Sequence, residues 1–169
     1  GDDQWARDQE EINSQRFKMT TYEGGVHVPF IVTGPGIPAG SVNPALAHVV
    51  DLFGTIIELA GGDVGEATEG RTIDSQSLAG QLLSEEGAPH RSWVYTDNSV
   101  PGGPGIPGRQ MSAVRNAEYP LARTPQGDEY YDIANDPDEQ DNLIENMDQA
   151  AAENYKALKS KLDELLAGK

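Results

Sequence analysis

KMTTYEGGVHVPFIVTGPG, residues 18–36, is the stretch of sequence that decides the fold. Its apolar part, VHVPFIVT at residues 26–33, is short, rich in β-branched side chains and stopped by Gly34 and Pro35. A run of this kind predicts a strand that is buried on both faces, although Pro29 moves part of it toward a sheet edge. We therefore expect a strand over residues 26–33.

Residues 47–62, AHVVDLFGTIIELAGG, carry the second strong pattern. Apolar side chains recur there at helical spacing, and Gly61 supplies a C-terminal stop. The apolar positions are Val49, Leu52, Phe53, Ile56, Ile57 and Leu59. The pattern predicts a helix over residues 46–60, and a shorter helix is expected around residues 77–83.

Residues 91–169 combine short strand-like runs with an amphipathic tail. The runs lie at residues 92–96, 111–115, 119–122 and 129–133, and their close spacing predicts a small antiparallel sheet. From about residue 147 an apolar stripe begins, with Asn146 and Gln149 forming a capping box. The stripe consists of Tyr155, Leu158, Leu162 and Leu165. We expect this helix to cover one face of the sheet and the chain to form two sub-domains, residues 1–90 and 91–169.

Composition excludes several classes of partner. The chain of 169 residues has 12 Lys and Arg against 28 Asp and Glu, a net charge of −16. Neutralising phosphates needs clustered basic side chains, so we expect no nucleic acid and no anionic membrane as a partner. No apolar stretch approaches the roughly 18 residues that span a bilayer. Without cysteine there is no disulfide, thiolate metal site or cysteine nucleophile.

Several motifs with a superficial chemical meaning are better interpreted as loops. Residues 103–108 and 34–39 fit a dinucleotide-binding glycine pattern, but each holds two prolines and opens no helix. The nine acidic residues between 128 and 148 lack the glycine and the glutamate that a calcium loop requires, which favours a solvated acidic turn.

His27, His48 and His90 stand alone in the sequence and form no ligand motif.

Five blocks in the order of the chain resemble the C-terminal half of the sulfatases, hydrolases of the alkaline-phosphatase superfamily. The blocks are KMTTYEGGVHVP (18–29), VPFIVTGPGI (28–37), VVDLFGTIIELAGG (49–62), SAVRNAEYPL (112–121) and YYDIANDPDEQDNL (130–143). The resemblance implies an α/β (α+β) fold. Residues 1–90, with the strand at 26–33 and the helix at 46–60, would be part of the sulfatase α/β sheet, and residues 91–169 the small antiparallel sheet with its closing helix.

The same resemblance implies a site. Lys18 aligns with the family lysine that contacts a sulfate oxygen, so Lys18 is the predicted catalytic residue and His27 a predicted substrate-binding neighbour. The family nucleophile is a formylglycine made within a Cys/Ser-x-Pro-Ser-Arg signature, which this sequence lacks. Asp2 and Asp3 are followed by Gln4 rather than Gly, so no metal ligand is assigned. Calcium, or another divalent cation, and the formylglycine are expected in a full-length parent protein and not in this chain.

The function implied is that of a C-terminal segment of a sulfuric ester hydrolase, similar to the arylsulfatases. The parent would act on a sulfate ester, while the isolated chain is expected to be inactive. The alternative is a non-enzymatic binding or interaction module derived from a sulfatase. Self-association through the predicted strand at 28–32 is a further expectation, because an unpaired edge templates pairing. Localisation stays open, since the family includes secreted, periplasmic and lysosomal members.

Overall fold

A computed structural model describes residues 16–17, 20–84, 91–100 and 109–168. The helices are α1 (Glu23–Val26), α2 (Asp51–Leu59), α3 (Val64–Ala67), α4 (Ala79–Leu82) and α5 (Gln149–Ala167). The strands are β1 (Val94–Val100), β2 (Arg109–Arg115), β3 (Pro120–Thr124) and β4 (Gly127–Tyr130), and Leu143–Glu145 forms a turn of 3-10 helix. None of the described helices is both long and apolar enough to cross a membrane.

The described residues divide into two compact units at residues 29/30 and 94/95. The first, here called the sheet unit, contains the described parts of residues 1–29 and 95–169. The second, here called the helical unit, contains those of residues 30–94. Residues 20–29 thus group with the C-terminal sheet, whereas the sub-domains of residues 1–90 and 91–169 remain a prediction.

The sheet unit is built on four strands in the order β1-β2-β3-β4, with β2, β3 and β4 paired antiparallel. Val114 lies opposite Leu121, and Leu121 lies opposite Tyr130, so the three form one row across the sheet. All three are fully buried. This row is the centre of the core, and the apolar side chains that it brings together on neighbouring strands stabilise the sheet.

Helix α5 packs against β2 and β3, as the apolar stripe predicted. Leu158 and Leu162 are buried, and Tyr155 meets the ring of Tyr130 edge-on with 5.4 Å between centroids. The helix begins after Asp148, whose carboxylate accepts a hydrogen bond from the Ala151 N–H at 2.8 Å. The expected N-cap at Asn146 is therefore wrong by two residues, because Asn146 ends the preceding 3-10 turn.

In the helical unit, α2 buries a polar face rather than an apolar one. Asp51 and Thr55 are buried, and the Asp51 carboxylate pairs with the buried Arg91 guanidinium, whose Nε lies 2.7 Å from Oδ2. The Thr55 hydroxyl accepts a hydrogen bond from the Leu78 N–H at 2.8 Å. The apolar stripe on which the helix was predicted lies largely at the surface, with Ile56 65% exposed. Helix α2 lies within the predicted range 46–60, and it ends before Gly61, which adopts a φ of 80°.

The strand predicted at residues 26–33 is not formed. Val26 ends α1, and residues 27–33 belong to neither a helix nor a strand. Val28 and Ile31 are 67% and 85% exposed. A segment that is apolar on both faces needs strands beside it, and no described strand of this chain pairs with it. The broader expectation of helices combined with a small antiparallel sheet is confirmed.

Candidate functional site

The predicted catalytic residue, Lys18, lies outside the described residues, as does Met19. His27 is described, and it follows directly after α1. Its side chain is 77% exposed, and its Nδ1 lies 3.0 Å from Oε2 of Glu23, one helical turn earlier. The roles of Lys18 and His27 therefore remain predictions, and the site is built from the residues on either side of Lys18.

Gly24 and Gly25 let α1 pack directly on the chain that flanks Lys18. A Cβ at Gly25 would stand 2.6 Å from the Thr20 carbonyl oxygen and 2.7 Å from that of Phe17, and a Cβ at Gly24 would stand 2.8 Å from the Arg16 carbonyl oxygen. These distances are too short for a real side chain. The two glycines therefore serve a close backbone approach, rather than a turn with positive φ.

The two described residues nearest to Lys18 are joined to each other. The Thr20 hydroxyl donates a hydrogen bond to the Phe17 carbonyl oxygen at 2.6 Å. Thr20 and Thr21 are both buried, at 6% and 4% exposure. A hydrogen bond therefore joins the chain on both sides of Lys18 and Met19, and of the two residues that form it Thr20 is buried while Phe17 is 51% exposed.

Arg16 and Glu23 connect this segment to one residue far along the chain, Glu139. The Arg16 guanidinium donates to the Glu139 backbone carbonyl, and the Glu23 N–H donates to the Glu139 carboxylate, with 2.8 Å to Oε2. Glu23 also forms an ion pair with Arg115 at the end of β2. Two arginines and two glutamates thus hold the segment against the sheet.

Two tyrosines and Glu129 complete the same cluster. The hydroxyls of Tyr22 and Tyr131 each donate to Oε2 of Glu129 at 2.7 Å. The Arg16 guanidinium carbon lies 4.6 Å and 5.2 Å from the centroids of these two rings, within the range of a cation–π contact. Burial and the hydrogen bond to Glu129 raise the pKa of both tyrosine hydroxyls, so both remain protonated donors.

Glu139 is the most unusual side chain of the cluster. It is 2% exposed and adopts a positive φ of 55°. Burial raises the pKa of its carboxyl to about 7, and the nearby Asp136 and Glu129 act in the same direction, while Arg16 and Arg115 oppose the shift. A carboxyl in these surroundings changes its charge near neutral pH.

Sequence reasoning missed Arg16, Arg115, Glu129 and Glu139. Glu139 belongs to the stretch that was interpreted as a solvated acidic turn, and for this residue that interpretation is wrong because its side chain is buried. It holds for Asp136, whose carboxylate accepts hydrogen bonds from the Gln140 and Asp141 N–H groups at an exposed turn. The only signal in the sequence was that Glu139 falls within the block at residues 130–143 that resembles the sulfatases.

The described residues do not fit a bound metal. Within residues 16–17, 20–84, 91–100 and 109–168, no group of three or more His, Cys, Asp or Glu side chains is placed to hold a metal ion. Arg16 and Arg115 also place positive charge beside the carboxylates of Glu23 and Glu139. The chemistry of the cluster is therefore that of a hydrogen-bonded charge network.

The order of the sequence blocks is that of the sulfatase class. More particularly, residues 14–168 match the family described as N-sulphoglucosamine sulphohydrolase, C-terminal. Since the match covers most of the chain, the chain belongs to this family, and the resemblance read from the sequence blocks is confirmed.

Relatives agree with this assignment, and a solved structure shares the fold. The chain is 33% identical to human arylsulfatase A over 122 residues, 71% of this chain and 22% of that protein. It is 25% identical to arylsulfatase K of Xenopus laevis over 159 residues, 88% of this chain and 28% of that protein. The fold resembles that of a Bacteroides thetaiotaomicron protein assigned as a sulfatase, with a TM-score of 0.65 at 24% identity, covering 89% of this chain and 31% of that one. The chain thus spans less than a third of the length of these relatives.

Proposed function

We propose that this chain is the C-terminal segment of a sulfuric ester hydrolase and that it supplies Lys18 as a contact to the sulfate group of the substrate. The observation that carries the proposal is the family match over residues 14–168, which includes Lys18 and the Tyr22-Glu23-Gly24-Gly25 block that follows it. The two arylsulfatase relatives support the reaction class by their names alone.

The role proposed for Lys18 is electrostatic. Cleavage of a sulfate ester develops negative charge on oxygen, and an ammonium group held against that oxygen lowers the barrier, more strongly where water is excluded. His27 is proposed as a neighbour of the substrate, and its exposed imidazole beside Glu23 is compatible with a binding contact.

The nucleophile and the metal are proposed to come from the remainder of the parent protein. The sequence contains no cysteine and no serine within the family signature, and the described residues form no metal cluster. One lysine does not perform a covalent displacement. The 169-residue chain alone is therefore proposed to be inactive.

The test compares two proteins on the same panel of sugar and aryl sulfates: the longest natural chain that contains this sequence, and the 169-residue chain. We expect sulfate release by the first and none by the second. Sulfate release by the 169-residue chain after stringent purification would contradict the proposed division of the site. A natural chain that releases no sulfate from any ester would favour the non-enzymatic module.

A further inference from the structure

A single residue contacts the chain on both sides of Lys18. The backbone carbonyl of Glu139 accepts from the Arg16 guanidinium, two residues before Lys18. The carboxylate of Glu139 accepts from the Glu23 N–H, five residues after Lys18, with 2.8 Å between the atoms. Glu139 itself is 2% exposed, and both hydrogen bonds are partly shielded from water, which strengthens them.

We propose that Glu139 is a positioning residue for the sulfate contact: by holding Arg16 and Glu23 it fixes the described residues on both sides of Lys18, 16–17 and 20–26, on the sheet unit. This proposal rests on the proposed function of Lys18. The contacts of Glu139 are to Arg16 and Glu23, so Glu139 acts on the sulfate contact through these two residues and not by touching the substrate.

The packing of the segment makes it respond as a unit. Because Gly24 and Gly25 leave no side chain between α1 and residues 16–20, the backbone of α1 lies directly against the carbonyls of Arg16, Phe17 and Thr20. A displacement of the Glu23 N–H from Glu139 therefore moves the described residues on both sides of Lys18. Loss of the Glu139 carboxylate should therefore lower the hydrogen-exchange protection of residues 20–27.

The charged and titratable groups around Glu139 define a pH dependence. Arg16 and Arg115 favour its ionised form, Glu129 and Asp136 disfavour it, and Glu23 presents its N–H to the carboxylate and pairs with Arg115. Burial has the largest influence and raises the Glu139 pKa from 4.5 to about 7. When the segment opens, the carboxyl returns toward its ordinary pKa and releases its proton. Opening therefore becomes easier as the pH rises from about 4.5 to about 7.

The experiment is amide hydrogen exchange of the 169-residue chain, followed by NMR between pH 5 and pH 7.5 and corrected for intrinsic exchange. The variants are Glu139→Ala and Glu139→Gln. Glu69→Ala and Glu69→Gln are matched controls, because Glu69 has a similar positive φ of 53° but lies exposed beside Arg71. On going to pH 7.5, the wild type should lose protection at residues 20–27 by at least tenfold. Glu139→Gln should show no pH dependence there, since its amide still accepts the Glu23 N–H but does not titrate.

Glu139→Ala should lower protection of residues 20–27 at least tenfold at pH 5, while Glu69→Ala leaves it unchanged. Unchanged protection of residues 20–27 in Glu139→Ala would overturn the proposal. If the two variants Glu139→Ala and Glu69→Ala showed the same hydrogen-exchange protection at every residue, the proposal would be overturned as well.

A second readout separates this proposal from the proposed function. The resonances of Lys18 are followed while inorganic sulfate is added at constant ionic strength. We expect a saturable shift in the wild type and an apparent affinity at least tenfold weaker in Glu139→Ala, with no change in Glu69→Ala. A saturable wild-type response that Glu139→Ala leaves intact contradicts the positioning role alone. A wild type without a saturable response contradicts the sulfate contact, and the positioning role with it.

Discussion

At the scale of single residues, the cluster beside α1 places two glutamates in different surroundings. The Glu129 carboxylate accepts hydrogen bonds from two tyrosine hydroxyls, which stabilise its negative charge. Glu139 accepts one backbone N–H and is buried, so its ionised form loses hydration that two nearby arginines only partly replace. This burial explains why the pKa of the Glu139 carboxyl is raised to about 7.

This titration predicts a pH dependence of global stability. The pKa of Glu139 is raised from 4.5 to about 7, so the folded state binds more protons than the unfolded state in that window. The free energy of unfolding should therefore fall as the pH rises from about 4.5 to about 7, by up to about 3 kcal/mol from this group. Urea unfolding at a series of pH values measures the slope.

In Glu139→Gln this contribution to the slope should disappear. Asp128 provides an internal reference, because Arg123 and Lys159 lower its pKa to about 2. Its contribution is complete above its ordinary pKa of 3.8 and is lost only toward pH 2, outside the window of Glu139. If the unfolding free energy changed equally with pH in the wild type and in Glu139→Gln between pH 4.5 and pH 7, the Glu139 pKa would be the same in the folded and unfolded states, which contradicts the prediction.

Gly25 gives a second prediction at this scale. A methyl group there would stand 2.6 Å and 2.7 Å from two backbone carbonyl oxygens, which have little freedom to move. Gly25→Ala should cost about 1–3 kcal/mol of unfolding free energy, as overpacking of a filled site does. Gly34→Ala is the control, because its nearest contact would be an ordinary 3.7 Å to the Ile37 side chain. Equal stability of the two variants would contradict the close approach.

At the scale of elements, α2 depends on its buried polar face. It has nine residues, a length at which an isolated helix is marginal in water. Its Asp51 carboxylate receives the Arg91 guanidinium and the N–H groups of His48 and Gln76, which lie 2.9 Å and 2.8 Å away. The helix is thus fixed by hydrogen bonds rather than by its apolar stripe.

Asp51→Ala should therefore destabilise the chain by about 3–5 kcal/mol, because it leaves the Arg91 charge buried without its partner. Glu58→Ala, an exposed position of the same helix, should change the unfolding free energy by less than about 0.5 kcal/mol. Chemical denaturation followed by circular dichroism compares the two variants. A loss below 1 kcal/mol in Asp51→Ala would mean that the ion pair is not what holds α2.

Local patterns predicted those elements whose partners are close in sequence. The runs around β2 and β3 carry their own cross-strand neighbours, Val114 and Leu121, within a few residues. The strand expected at residues 26–33 has no such neighbour and is not formed. Glu139 was missed for a related reason: its burial depends on Arg16, 123 positions away, and a window of sequence does not show that contact. Helix α2 was predicted, but its buried face was not, because the spacing of apolar residues does not indicate that the polar residue Asp51 is buried.

At the scale of the whole molecule, several large apolar side chains are exposed along residues 28–31 and on α2. Examples are Val28, Phe30, Ile31, Phe53 and Ile56, between 49% and 85% exposed. Large apolar side chains that are exposed mark contact surfaces where they lie together. The expected self-association through residues 28–32 remains a prediction.

Ile31→Lys tests this expectation. The isolated chain should sediment as a concentration-dependent mixture of monomer and larger species, and Ile31→Lys should shift it toward monomer by adding charge to the contact. Val42→Lys is the control, since Val42 is 91% exposed but lies outside the segment. If the wild type stays monomeric at all concentrations, or if both variants behave alike, residues 28–32 are not the contact.

The central claim is that Lys18 supplies positive charge to a sulfate group in a sulfatase of which this chain is the C-terminal segment. The most direct measurement is the steady-state kinetics of sulfate ester hydrolysis by the longest natural chain containing this sequence, comparing the wild type with Lys18→Ala and with Lys156→Ala, an exposed lysine of α5. We predict that Lys18→Ala lowers kcat/KM by about 10²- to 10³-fold, while Lys156→Ala leaves it unchanged and both variants remain folded. Equal kcat/KM in the wild type and in folded Lys18→Ala would contradict the claim.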